Sequence, residues 1–156
     1  MFFKKKGARV KLKDVMPHVK KKGFVALDPD SPIEEVVRII TESGNDSILY
    51  VTNDEYNLLG TVSLDELARH IFSSNHELRV HSRRLMDMVT AETARHIMKK
   101  QPPYAKEDED IETVIKKMIR SQVKHMAVLD DSNRMTGDIS MKELIRIILR
   151  LNQEEE

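Results

Sequence analysis

A serine three residues ahead of a glutamate, at the head of an apolar helical run, can do two kinds of chemistry. The chain writes this pattern twice, as Ser63 and Glu66 in GTVSLDELARHIF (60–72) and as Ser140 and Glu143 in GDISMKELIRIIL (137–149), at an offset of 77. Gly60 and Leu67 fall in register with Gly137 and Leu144. As a capping box, the hydroxyl accepts one orphan N–H of the first turn and the carboxylate accepts another from the serine backbone. As a ligand site, a helix N-terminus beside a glycine turn offers N–H groups to an anion, and the serine and acid can bond phosphate or sugar hydroxyls. Capping alone would explain serine plus glutamate, and the serines carry the ligand reading more than the acids do.

Other residues that could hold a phosphorylated ligand lie in the second copy. IRSQVKHMAV (119–128) supplies Arg120, Lys124, His125 and Met126, where the first copy has Glu42, Asp46 and Ser47 at the matched places. A phosphate favours the basic copy and is repelled by the acidic one, so unequal sites are expected. Tyr104 could cover a flat heterocycle, although a half-buried strand aromatic is its ordinary explanation. The six histidines are scattered, and His76 and His81 stand without flanking acids, so no metal is expected. With no cysteine, no Ser–His–acid spacing and only five glycines, the chain lacks a thiol nucleophile and a phosphate-cradling loop. An enzyme is therefore not expected.

Helices and short strands must position these side chains. Ile33, Val36, Val37 and Ile40 recur at 0, 3, 4, 7, as do Ile111, Val114, Ile115 and Met118. After each serine corner the stripe repeats, as Leu64, Leu67, Ala68, Ile71 and as Met141, Leu144, Ile145, Ile148. Ser31 ahead of Pro32, with Glu34 behind, reads as an N-cap followed by proline at the first helical position. Between the helices, Ile48–Val51 matches Met126–Leu129 at an offset of 78, and each run is followed by a polar turn and a second strand. The offset falls to 77 beyond that turn, which predicts a first turn one residue longer. FVALDPDSPI and YAKEDEDI supply an opening strand, and the related stretches LKDVM (12–16) and ARHIM (94–98) precede them. The unit reads β-α-β-β-α. Two copies predict an α+β domain in which the repeats pack about a pseudo-twofold axis.

The predicted organisation is a basic arm over 1–11, a first repeat over 12–72, a linker over 73–93, a second repeat over 94–151 and an acidic tail over 152–156. Residues 1–22 carry nine Lys/Arg against Asp14 alone, and 107–112 hold five acids, although the whole chain has zero net charge. The first is expected to be a solvated terminus, the second favourable charge at a helix start. A hydrophobic content of 40% suffices for a core. No apolar run is long enough to span a membrane, and MFFKKK is no secretory signal, so a soluble cytoplasmic protein is expected. Nine methionines read mostly as core filler. Ile39 and Ile119 lie outside the stripes and predict an interface between copies.

A duplicated β-α-β-β-α unit opening on h-x-x-h-Met (where h is hydrophobic) and closing on Gly-x-h-Ser-x-x-acid-Leu resembles a pair of cystathionine β-synthase (CBS) domains, from about Leu12 to Leu151. The resemblance implies a regulatory module that binds AMP, ADP or ATP between its repeats, forms a homodimer, and signals to a separate protein partner. It also implies that Ser63 and Ser140 face phosphate or ribose and that Glu66 and Glu143 stand where the family has a ribose-binding aspartate. The family's strand that reads Pro-Val before an aspartate here ends in Asp130, in the second copy only. A ligand-independent or nucleic-acid-associated module, using the basic arm and the Arg79–Arg84 stretch, is the alternative.

Overall fold

The structure, a computed structural model, describes residues 9–18, 24–44, 48–72 and 92–154. Most of the basic arm and linker, with His76, His81, Asp46, Ser47 and the Arg79–Arg84 stretch, therefore lies outside the described residues. The described chain is mixed α and β. It divides into two units, the first from Phe24 to Pro102, the second from Pro103 to Glu156 together with the N-terminal segment ending at Gly23.

In the first unit the order is β1 (Ala26–Leu27), α2 (Ile33–Glu42), β2 (Ile48–Thr52), β3 (Leu58–Ser63) and α3 (Leu64–Phe72), then α4 (Ala94–Ile97) and β4 (Lys99–Lys100). The second unit takes α1 (Leu12–Val15) and the 3-10 turn Met16–His18 from the N-terminal segment, then β5 (Tyr104–Lys106), α5 (Ile111–Ser121), β6 (His125–Leu129), β7 (Met135–Ser140) and α6 (Met141–Glu154). The expected β-α-β-β-α order is present in each. In both sheets the opening strand runs parallel to the middle strand, and the middle strand forms an antiparallel hairpin with the next.

The opening segments are exchanged between the repeats. LKDVM, first in the sequence, packs on the second repeat, with Leu12 and Val15 buried beside Val114, Met118 and Ile139. ARHIM packs on the first, with Ala94 and Ile97 beside Ile33, Val36 and Leu67. Each segment is strapped down by the same backbone bonds. Leu12 N–H donates to Glu109 O at 2.9 Å and Ile111 N–H to Val10 O at 3.0 Å; Ala94 N–H donates to Ser31 O at 2.9 Å and Ile33 N–H to Glu92 O at 3.2 Å. These bonds satisfy the first orphan N–H of α2 and of α5. They also correct the reading of Ser31. The helix starts one residue later, with Pro32 in the cap position, and Ser31 is buried with its carbonyl in the strap.

The predicted longer turn is corrected too. Asn53 Oδ1 accepts the N–H groups of Glu55 and Asn57 at 3.0 and 2.9 Å, and Asp130 Oδ1 accepts those of Ser132 and Arg134 at 2.8 and 3.0 Å. Both turns place a residue at positive φ three positions on, Tyr56 at 63° and Asn133 at 61°. Both hairpins shift register at the same step, between Val51 and Thr52 and between Val128 and Leu129. The hairpins are equal in length and match at 77 throughout, because these side-chain turns fix the register. The extra residue lies instead between α2 and β2. Hence Asp130 corresponds to Asn53, His125 to Ile48 and Lys124 to Ser47.

The stripe residues are buried or half-buried at all but two positions. Leu64 and Ile145 are exposed at 52% and 50%, while Ile147 is buried at 6%. The apolar face of α6 is set one residue further round, through Leu144, Ile147, Ile148 and Leu151. Ile39 packs against the first core, whereas Ile119 is exposed.

Candidate functional site

Both serine corners form at the junction of a strand and a helix. In the first, Glu66 N–H donates to Ser63 Oγ at 3.2 Å and Ser63 N–H to Glu66 Oε2 at 3.0 Å, a complete capping box. In the second, Glu143 N–H donates to Ser140 Oγ at 3.1 Å, and Glu143 Oε2 is buried. The serine half of the cap is therefore realised at both corners, and the reciprocal carboxylate bond at the first. A serine Oγ that accepts one N–H retains its own O–H as a donor and a second lone pair, so capping leaves capacity for a ligand.

The glycines of the corners have a separate task. A Cβ at Gly60 would stand 2.7 Å from Met98 Sδ and 2.8 Å from Lys99 O, and one at Gly137 would stand 2.9 Å from Met16 Cε. The methionine closing each exchanged segment therefore sits over the glycine opening each corner. The two motifs recur together because they touch.

Most candidates of the second repeat gather at one end of its sheet. His125 pairs with Ser140, and Met141 N–H donates to Lys124 O at 2.9 Å, so Lys124, His125, Ser140 and Glu143 share that end. Arg120 is exposed on the last turn of α5, four residues before Lys124. Its neighbour Gln122 closes α5 in the left-handed conformation, φ 54°, with its N–H on Ile119 and Met118 carbonyls, and so turns the chain into β6. Tyr104 pairs with Ala127, two residues from His125, and is 44% exposed.

Two candidates fall elsewhere. Met126 is buried at 1% in the core, where a thioether fills space. Asp130 lies five residues beyond His125, roughly 16 Å along a strand, at the opposite end of β6. Its carboxylate is used within the turn. The Arg134 backbone N–H holds its pKa below the ordinary 3.8 against the opposing effect of burial, with the Ser132 N–H and the Arg134 guanidinium adding to the lowering.

Sequence reasoning missed two lysines. Lys117 Nζ donates to Tyr104 O at 2.8 Å and to both Glu109 carboxylate oxygens at 2.9 and 2.8 Å. Lys106 Nζ donates to Asp130 O at 3.0 Å and Asn133 Oδ1 at 2.6 Å. Each ammonium also lies 5.8 Å from the Tyr104 ring centroid. The Lys117 bond fixes the backbone of Tyr104, and both ammonium groups flank its ring with charge. No local pattern announces them, since their partners are up to 27 residues away.

A cavity of about 220 Å³ lies elsewhere on the second unit, lined by Arg9, Val10, Asp110, Glu112, Thr113 and Lys116. Its charges pair with one another, Arg9 with Asp110 at 3.4 Å and Lys116 with Glu112 at 3.1 Å. None of the sequence-predicted residues lines it. Among the described residues no cluster of three or more His, Asp or Glu is placed to hold a metal ion, and no helix is long and apolar enough to cross a membrane.

No protein of curated function matches the chain. Several solved structures share its fold. CBSX2 in complex with AMP aligns with a TM-score of 0.71 at 16% identity, over 90% of this chain and 97% of that one; CBSX2 comes from Arabidopsis thaliana. A CBS domain-containing protein from Thermotoga maritima aligns at 0.70 and 25% identity, over 91% and 96%. The cytosolic domain of the Mg2+ channel MgtE in complex with ATP aligns at 0.59 and 20% identity, over 80% of this chain and 44% of that one. The sequence profile of the CBS domain matches residues 12–73 and again 94–150. With its duplicated corner, its exchanged opening segments and two profile matches, the chain belongs to the CBS-domain family as a tandem pair.

Proposed function

We propose that this CBS pair is a non-catalytic sensor. It binds AMP, ADP or ATP, works as a homodimer, and passes the resulting change of shape to a protein partner on another chain. The observation that carries the reading is the second corner. Ser140 stands at the N-terminus of α6 beside His125 and Lys124, so a helix N-terminus, a hydroxyl, an imidazole and an ammonium occupy one sheet end. The solved complexes of CBSX2 with AMP and of MgtE with ATP support the ligand class. Arg120 and Lys124 are assigned to phosphate, Ser140 to phosphate or ribose, and Tyr104 to the adenine face. Ser63 and Glu66 supply the corresponding, less basic corner. Asp130 and Met126 act through the hairpin and the core.

Thermal melting with AMP, ADP, ATP and adenosine tests this. A ligand that binds only the folded state adds about 2.7 kcal/mol at a hundredfold excess over its Kd. For this length that is a rise in Tm of roughly 5–10 °C, at about 2–4 °C per kcal/mol. Arg120→Ala and Lys124→Ala should reduce the nucleotide increment and spare that of adenosine. No shift with any adenine compound at saturating concentration would end the proposal. Retention on RNA or DNA that falls steeply with salt would favour the nucleic-acid reading instead.

A further inference from the structure

The opening segment of each repeat is tied at two further points, and the ties differ in chemistry. In the second repeat Lys11 N–H donates to Asp14 Oδ2 at 3.2 Å, and Val10 packs on the core that holds the buried Ile147. The opening segments match at an offset of 82 and the closing helices at 77, which puts His96, Glu92 and His70 at the same places in the first repeat. Thr93 N–H donates to His96 Nδ1 at 2.9 Å, and His70 Nε2 meets Glu92 Oε2, both half-buried. A carboxylate cap and an apolar contact are thus replaced by two imidazole ties. His70, Glu92, Thr93 and His96 all lie in the first unit. Around them Glu66 bonds the Ser63 N–H, Arg95 pairs with Asp30 at 3.6 Å, and Asp65, Arg69, Glu34 and Lys99 are exposed. Glu35 is half-buried on the first turn of α2, and β3 carries no charged residue.

Imidazole is the side chain that changes charge between about pH 5 and 8, where carboxylates stay ionised. Only a neutral His96 can accept the Thr93 N–H, since both nitrogens of a charged ring are donors. That tie is present at the upper end of the range and is lost as pH falls. Glu92 accepts from His70 Nε2–H in either state of the ring, and the bond strengthens when the ring is charged. That tie grows as pH falls. We propose that the opening segment of the first repeat is a proton-responsive strap, whose hold passes from the His96 cap to the His70–Glu92 ion pair on acidification. The strap of the second repeat is indifferent over the same range. Loss of the cap frees the start of α4, while Glu92 stays anchored and keeps the Ile33 N–H on its carbonyl. Helix α4 runs into Met98, whose N–H donates to Ala94 O at 2.9 Å and whose side chain roofs Gly60. The first corner therefore receives the response. The inference rests on the strap and not on a nucleotide.

Amide exchange of the full chain, corrected for intrinsic rates, compares matched N–H groups between about pH 8 and 5. Exchange at Thr93 should quicken by about fivefold relative to Lys11 as pH falls, the loss of one cap. Exchange at Ile33, which donates to Glu92 O, should slow by about threefold relative to Ile111, which donates to Val10 O, because one bond gains a charge. His96→Asp, the residue of the second repeat, should abolish the Thr93 response. His70→Ile with Glu92→Val should abolish that of Ile33, with circular dichroism to confirm folding. In the parent, nitrogen-15 shifts should place the proton of the neutral His96 ring on Nε2, a readout that needs no variant. Thr93 exchange that merely follows that of Lys11, responses that survive these substitutions, or a neutral His96 protonated on Nδ1 would overturn the proposal.

Discussion

Tyr50 and Tyr104 occupy opposite members of one strand pair. In the first unit Ala26 on β1 faces Tyr50 on β2; in the second, Tyr104 on β5 faces Ala127 on β6. The aromatic ring on the middle strand is buried at 1%, meeting Phe24 edge to face at 6.2 Å, whereas the one on the outer strand is 44% exposed between two ammonium groups. The first unit buries Tyr50. The second keeps Tyr104 at the surface, beside Lys106 and Lys117. A second difference lies at the sheet edge. β4 pairs Lys99 with Thr61 and Lys100 with Gly60, giving the first unit a fourth strand. The matching segment of the second unit has Pro17 in a 3-10 turn, and a proline cannot donate to a ladder. Duplicate units thus share a frame while the same strand pair buries its tyrosine in one and exposes it in the other.

The largest expected effect tests that division directly. Tyr50→Ala should cost about 3–5 kcal/mol in urea unfolding, the range for truncating a buried aromatic, and Tyr104→Ala less than about 1 kcal/mol. Equal losses would erase the distinction. Next come the glycines. Gly60→Ala meets a backbone carbonyl as well as Met98, so about 1–3 kcal/mol of overpacking is expected. Gly137→Ala meets only the flexible end of Met16 and should cost less than about 1 kcal/mol.

Smaller still are the caps. Ser63→Ala and Ser140→Ala should each lower stability by about 1 kcal/mol. If the second corner alone holds the ligand, Ser140→Ala should also shrink the nucleotide's Tm increment, and Ser63→Ala should leave it unchanged. The smallest effect concerns pH. Because Asp130 has a folded pKa below 3.8, its contribution is complete above that value and is lost as pH falls through the folded pKa. Asn53, its counterpart, does not titrate. Amide exchange at Arg134 should therefore quicken on acidification, once corrected for intrinsic rates, relative to that at Asn57. Asp130→Asn should abolish the difference.

Local chemistry was legible wherever neighbouring residues settle it. The serine caps, the four amphipathic helices and both hairpins follow from spacing, since their interactions reach only three or four positions along the chain. The Ser31 cap misled because its decisive partner, Ala94, lies 63 residues away. The turn misled because aligned residue types cannot show that Asn53 and Asp130 make the same side-chain bonds. The offset of 78 belongs to α2 and α5 and that of 77 to the hairpins with α3 and α6, and only the ladders reveal where one gives way to the other.

The sequence by itself determined the repeated unit, the order of its elements and the residue types at both corners, because periodicity and capping are properties of contiguous chain. Only the tertiary structure decided that each opening segment covers the other repeat, that Met16 and Met98 roof the corner glycines, and that Lys106 and Lys117 flank Tyr104. Those arrangements join residues whose separation in sequence carries no signal. They are selected by which buried surfaces and orphan N–H groups remain to be satisfied once the local elements have formed.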